Sequence, residues 1–155
     1  PGDLSYASVY DFEQVLITPR GHPLAGRREL TLEDISAWPL ILPPKRQITW
    51  RLVDLVFQRH RVPYTVALEV GGWEVIKQYV AMGMGISIVT ALCLNDADRE
   101  RLAIRPMARY FPKRSYGVTV RRGKVLSPQA RAFIELIRPD LFAPRQYDDT
   151  GHSER

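Results

Sequence analysis

Two short stretches of the sequence carry the donor-rich, cationic chemistry that a small anion requires. Pro43-Pro44-Lys45-Arg46-Gln47-Ile48-Thr49-Trp50 and Gly71-Gly72-Trp73 each stand at the start of a helical apolar pattern. Gln47 and Thr49 offer neutral donors, and Lys45 and Arg46 add positive charge. Gly71 and Gly72 let a ligand approach the backbone closely, and Trp50 and Trp73 are placed to wall a crevice. The first N–H groups of a helix have no intrahelical partner and lie at the positive end of its dipole, so an anion is stabilised there. Taken singly, Thr49 reads more simply as a helix cap and Gly71-Gly72 as a turn. The convergence of two such loops on one sheet edge is what points to a site.

The remaining reactive residues do not assemble into a catalytic centre. Gly83-Met84-Gly85 follows a helix and precedes a strand, the reverse of what pyrophosphate binding needs. Ser87 lies inside a strand without a Gly-x-Ser-x-Gly elbow. His22, His60 and His152 are far apart and lack metal-ligand spacing, so no metal site is expected. Cys93 has no second cysteine and no evident activating base, which favours a buried structural thiol. Glu33-Asp34 and Asp148-Asp149 read as solvated pairs, and Met82 and Met84 as core filler. No cofactor is expected, and the chain reads as a non-enzyme.

Elements that would position the two loops follow from periodicity. Val15–Thr18 reads as a strand, and Thr31 with Asp34 as the capped start of a short helix. Leu40–Leu42 is a buried strand. Leu52, Val53, Val56 and Phe57 share one helical face, Thr65–Val70 is the next strand, and Val75, Ile76, Tyr79 and Val80 repeat the helical spacing. Gly83 stands where a helix stops, before the strand Ile86–Val89. Leu102–Arg105 and Tyr116–Val120 are further strands, with Thr119 outward and Val118 and Val120 inward. Ser127 caps a last helix with Pro128 in its first turn and a buried stripe of Ala130, Phe133, Ile134 and Ile137. The alternation from Leu40 to Val89 predicts an α/β fold with three parallel strands, whose ligands sit beyond the strands' carboxyl ends.

The 155 residues have a 45% hydrophobic and 25% charged balance, that of a soluble globular protein, and no apolar run long enough to span a bilayer. The net charge of +5 is spread over scattered arginines and lysines, so it does not by itself argue for nucleic-acid binding. One cysteine and the absence of an export signal in Pro1–Tyr10 lead to the expectation of a cytoplasmic protein.

The segment Val75-Ile76-Lys77-Gln78-Tyr79-Val80-Ala81-Met82-Gly83-Met84-Gly85-Ile86-Ser87-Ile88-Val89 resembles the helix–Gly-x-Gly–strand signature of LysR-type transcription regulators. Pro19-Arg20-Gly21-His22-Pro23-Leu24-Ala25 is similar to that family's crossover after a first-lobe strand, and Val-Ile-Lys-x-Tyr-Val is similar to its cysteine-regulon (CysB-like) branch. The resemblance runs from about Val15 to Pro139. It implies a periplasmic-binding-protein-like, two-lobed Rossmann-type effector domain. It also implies homo-oligomeric assembly, DNA binding through an N-terminal helix-turn-helix absent from this chain, no membrane partner, and a small effector held between the lobes. In the branch that effector is a sulfate-like anion or an acetylserine-like metabolite. Thr49 matches the branch's threonine loop with a one-residue gap, whereas Gly72 and Trp73 depart from its small polar or acidic residues.

On this resemblance the first lobe is partial, residues 1–20 and 115–140. The second lobe, residues 21–114, is intact and carries the effector loops, and residues 141–155 form a tail. The opening strand–helix–strand of the first lobe has no counterpart, so the chain is expected to be a fragment with an exposed first-lobe sheet edge. Thr18–Gly21 and Val89–Thr90 are the expected hinge strands. Thr18 and Thr90 therefore join Gln47, Thr49, Trp50, Gly71, Gly72 and Trp73 as candidate effector-binding residues. Two other readings share the architecture: a solute-binding protein of a transport system, and an enzyme of porphobilinogen or prephenate chemistry. The first needs an export signal and the second an acid–base pair facing the crevice.

Overall fold

The computed structural model describes residues Asp3–Pro139, so the expected tail after residue 140 lies outside the described residues. In chain order the elements are β1 (Leu4–Phe12), β2 (Gln14–Pro19), α1 (Leu32–Ser36), β3 (Leu40–Leu42), α2 (Ile48–His60), β4 (Val66–Glu69), α3 (Trp73–Ala81), β5 (Ser87–Thr90), α4 (Asp98–Arg101), β6 (Leu102–Pro106), β7 (Arg114–Arg121) and α5 (Pro128–Ile137), with a 3-10 turn at Ala91–Cys93. The chain divides into two units, Phe12–Arg114 and the pair Pro1–Asp11 with Ser115–Arg155.

The Phe12–Arg114 unit is built on strands in the spatial order β4, β3, β5, β2, β6. β3 and β4 pair in parallel, and a parallel Leu40–Ile86 bridge joins β3 to the start of β5. β2 runs antiparallel to both β5 and β6. The three expected parallel strands are therefore present. β2 reverses direction beside them and makes the sheet mixed.

Side-chain alternation sorts the core onto two faces. Leu16, Leu40, Leu42, Ile86 and Ile88 pack with Val53, Val56 and Phe57 of α2. Val15, Ile17, Ile41 and Val89 pack with Ile76 and Val80 of α3. The helices thus cover opposite faces, which accounts for the continuous apolar runs of the central strands.

The Gly-x-Gly motif has a packing cause. Gly83, at φ 78°, follows α3 as a left-handed residue and ends it. A Cβ on Gly85 would stand 2.7 Å from the Pro39 carbonyl oxygen, so only glycine lets this chain segment pass the strand start.

Several expectations change. Val15–Thr18 belongs to the sheet of the larger unit, so the boundary expected at residue 20 falls inside that unit. The chain instead passes between units at Asp11–Phe12 and Arg114–Ser115, and both expected hinge segments lie within Phe12–Arg114. β1 was not anticipated; its polar residues dilute the apolar signal. Met82 and Met84 are exposed, at 63% and 45%, because they sit in the turn after α3 rather than in the core.

In the smaller unit β1 pairs with β7, and α5 begins with Ser127 accepting from Ala130 N–H and Pro128 in the first turn. Val118 and Val120 are half-buried and Thr119 exposed, as alternation requires. The α5 stripe is not buried as expected. Ile134 alone of its four residues is buried, while Phe133 and Ile137 are exposed.

Candidate functional site

β3 and β4 are neighbours, yet the helices that follow them go to opposite faces of the sheet. Adjacent parallel strands with diverging connections open a crevice at their carboxyl ends, where ligands of such sheets bind. The two loops there lie side by side: Val70 N–H donates to Leu42 O at 3.0 Å, and Lys45 N–H to Glu69 Oε1 at 3.3 Å.

Both helix ends at this edge lack a side-chain cap. The N-cap of α2 is Gln47, and its side chain makes no capping bond. The N-cap of α3 is Gly72, at φ 88°. Elsewhere in the same chain Thr31 forms a full capping box with Asp34, and Ser127 caps α5. The first-turn N–H groups of α2 and α3 are thus left without the side-chain acceptor that α1 and α5 possess.

Thr49 is not the cap it was expected to be. It lies inside α2, at the second helical position, and is buried. The cap position falls two residues earlier, at Gln47, and Ile48 is already helical. Trp50 packs against the α2-side core, its Nε1 is buried with no hydrogen-bond partner, and Lys45 Nζ stands 5.6 Å from the centre of its ring. Trp73 packs half-buried against the α3-side core, and Gly71 and Gly72 are exposed.

Thr90, at the carboxyl end of β5, lies on the same sheet edge. Thr18 does not: β2 runs antiparallel, so its Thr18 end lies near the start of β5, and Thr18 Oγ1 donates to Pro19 O. The structure therefore brings together Gln47, Thr49, Trp50, Gly71, Gly72, Trp73 and Thr90 at one edge and leaves Thr18 at the opposite one.

Sequence reasoning missed Gln14. It is 1% exposed, stands opposite Thr90 in the β2–β5 register and donates from Nε2 to Thr90 Oγ1 at 3.2 Å. Its Oε1 is buried without a partner. A glutamine heading an otherwise apolar strand was the available signal.

The α3 end is anchored from within. Lys77 Nζ, fully buried, lies 2.8 Å from Asp98 Oδ2, 3.0 Å from Cys93 O and 2.6 Å from Glu74 Oε1. Asp98 in turn exchanges two hydrogen bonds with Asn95. Burial opposes charge on Lys77, but the bonds to Asp98 and Glu74 outweigh it and raise the lysine above its ordinary value. Burial likewise opposes ionisation of Asp98, and the Lys77 and Asn95 bonds outweigh it and hold the carboxyl below its ordinary value. The pair is therefore charged at neutral pH.

Other reactive groups are committed to structure. Burial pushes the Cys93 thiol up to about 11. His22 stacks edge-on against Trp38, and His60 against Tyr110. Among the described residues no cluster of three His, Cys, Asp or Glu side chains is arranged to hold a metal ion, and no helix is long and apolar enough to cross a membrane.

The sequence pattern of the family described as LysR substrate binding domain matches residues 1–141. The transcriptional regulator SsuR of Burkholderia cenocepacia is 31% identical over 139 residues, which is 90% of this chain and 45% of that protein. The regulator cbl of Escherichia coli is 32% identical over 127 residues, 81% of this chain and 40% of that protein. The chain thus spans less than half the length of these relatives. Among solved structures, the regulatory domain of Synechocystis PCC6803 CcmR in complex with 2-PG superposes with a TM-score of 0.77 at 33% identity, covering 87% of this chain and 65% of that one. The cofactor-binding domain of the Cbl regulator gives 0.75 at 27%, covering 91% and 62%.

Proposed function

The chain belongs to the LysR substrate-binding domain family, whose effector domains have a periplasmic-binding-protein-like two-lobed fold, and we propose that it is the ligand-sensing part of a DNA-binding transcription regulator. The relatives above are regulators of transcription, and two are named as helix-turn-helix proteins. DNA contact is accordingly assigned to a helix-turn-helix outside these residues, and regulation rather than catalysis to the whole protein.

The effector is a small anion or an amino-acid-derived metabolite carrying one, of the sulfate-like or acetylserine-like kind. One observation carries this reading: the neighbouring strands β3 and β4 aim two helix N-termini, neither capped by a side chain, at a single sheet edge. Lys45 adds a cation there, over the Trp50 ring, and α2 has no acidic residue in its first turn. Gln14 and Thr90 supply neutral hydrogen-bonding groups on the same edge. An effector with higher affinity for one conformation of the regulator shifts its population toward that state, and only this differential affinity switches DNA binding.

A thermal-shift screen with sulfate, thiosulfate, O-acetylserine and N-acetylserine tests the assignment. At least one is expected to raise the melting temperature in a saturable way. Unchanged melting with all four contradicts it.

A further inference from the structure

Glu74 occupies the first turn of α3, where a free carboxylate competes with an incoming anion for the same N–H groups and field. It does not stand free. Its Oε1 lies 2.6 Å from Lys77 Nζ, one turn further along the helix. Lys77 is itself fixed, because Asp98 Oδ2 and the Cys93 carbonyl oxygen hold its other donors at 2.8 and 3.0 Å in a buried setting. Arg101 completes the cluster, 3.3 Å from Asp98 Oδ1 and hydrogen-bonded to Gln78 Oε1 at 2.7 Å. The two carboxylates are matched by two cations. The lysine is attached to the segment after β5 and not merely to its own helix.

We propose that Lys77 is a positioning residue for the anion site: it ties α3 to the Cys93–Asp98 segment and draws the Glu74 carboxylate away from the α3 N-terminus, keeping that end receptive to an anion. The inference rests on reading the α3 end as part of the effector site. A lysine with only a packing role would not need a partner on its own first turn, and its loss would not be repaired by neutralising that partner.

The experiment compares inorganic sulfate binding by calorimetry in the unmodified chain, K77M/D98N, K77M/D98N/E74Q and E74Q, alongside amide exchange. The double variant leaves no unpaired buried charge, and the side-chain amide that D98N introduces retains an acceptor for the Asn95 N–H. It is expected to weaken sulfate binding roughly tenfold, and adding E74Q to recover most of that loss. E74Q alone, a change at an exposed side chain, is expected to raise affinity by less than about twofold, because Lys77 already neutralises the carboxylate. Binding by K77M/D98N within about twofold of the original, or no recovery in the triple variant, overturns the proposal. So does a gain in E74Q alone as large as that in the triple variant, and this arm decides the matter if the double variant does not fold. The Ile76 amide, bonded to Gly72 O at 3.2 Å, reports the anchoring without any ligand. It should exchange about tenfold faster in K77M/D98N while the Arg51 amide of α2 is unaffected, and unchanged Ile76 exchange contradicts the anchoring. Absence of sulfate binding by the original chain together with faster Ile76 exchange sinks the anion-site reading but not the anchor.

Discussion

Gln14 and Thr90 face each other across the β2–β5 pair, and the glutamine amide donates to the threonine hydroxyl at 3.2 Å while its own Oε1 is left without a partner. A buried polar atom of that kind calls for an explanation, and a water or ligand that completes the bonding supplies one. Thr90→Val removes the partner of Nε2 and should cost about 1 kcal/mol in a urea melt. Gln14→Leu removes both the bond and the orphan, so its stability cost should be smaller, while effector affinity falls. Equal costs for the two variants, with effector binding intact in Gln14→Leu, would remove Gln14 from the site.

Thr31 is a helix cap, whereas Thr49 is a proposed site residue that caps nothing. Thr31 Oγ1 accepts from Asp34 N–H, and Asp34 returns a bond to Thr31 N–H, so Thr31→Ala should destabilise the protein by about 1 kcal/mol and leave effector affinity alone. Thr49 lies buried within α2 and makes no cap, so Thr49→Ser, which deletes one buried methyl, should cost less than about 1 kcal/mol. A larger loss at Thr49 than at Thr31 in denaturant titration would contradict these roles.

Cys93 should be a slow nucleophile. Its thiol is pushed up to about 11, chiefly by burial, with the Glu74 charge adding and the Lys77 charge opposing. Alkylation by iodoacetamide at neutral pH should therefore run well below the rate of a free thiol and climb steadily through pH 9 to about 11. A rate that levels off near pH 8.5, about the ordinary thiol value, would show an unperturbed group.

The Lys77–Asp98 pair sets a pH window. Asp98 is held below its ordinary value of 3.8, so its contribution is present above that pH and is lost as pH falls through the lower, folded value. Lys77 is raised above 10.5, so its contribution is present below that pH and is lost as pH rises through the folded value. The stability difference between the original chain and K77M/D98N should be flat from about pH 5 to pH 9 and change only outside it. A slope near neutral pH would show that another group titrates with the pair.

The order of elements was legible because each strand of the larger unit is a short apolar run and each long helix repeats an apolar face, as at Val53, Val56 and Phe57. The Gly-x-Gly segment was equally plain, and the structure supplies its cause in the left-handed Gly83 and the close pass of Gly85 by Pro39. What escaped depends on pairing. The direction of β2, set by its partners β5 and β6, moved Thr18 to the far edge and brought Gln14 to the near one. No local pattern encodes that reversal. Thr49 was misread because a threonine beside a helix start looks like a cap whether it stands outside the first turn or within it. Phe133 was misread because helical periodicity marks an apolar face without telling what covers it.

The central claim is that the α2 and α3 ends take one anion together, and amide chemical shifts read it most directly. In a titration with sulfate or O-acetylserine, the backbone amides of Ile48–Trp50 and Trp73–Val75 should move along one binding curve with a single dissociation constant. Saturable binding that moves neither set, or moves one helix end while the other stays still, would contradict a shared site.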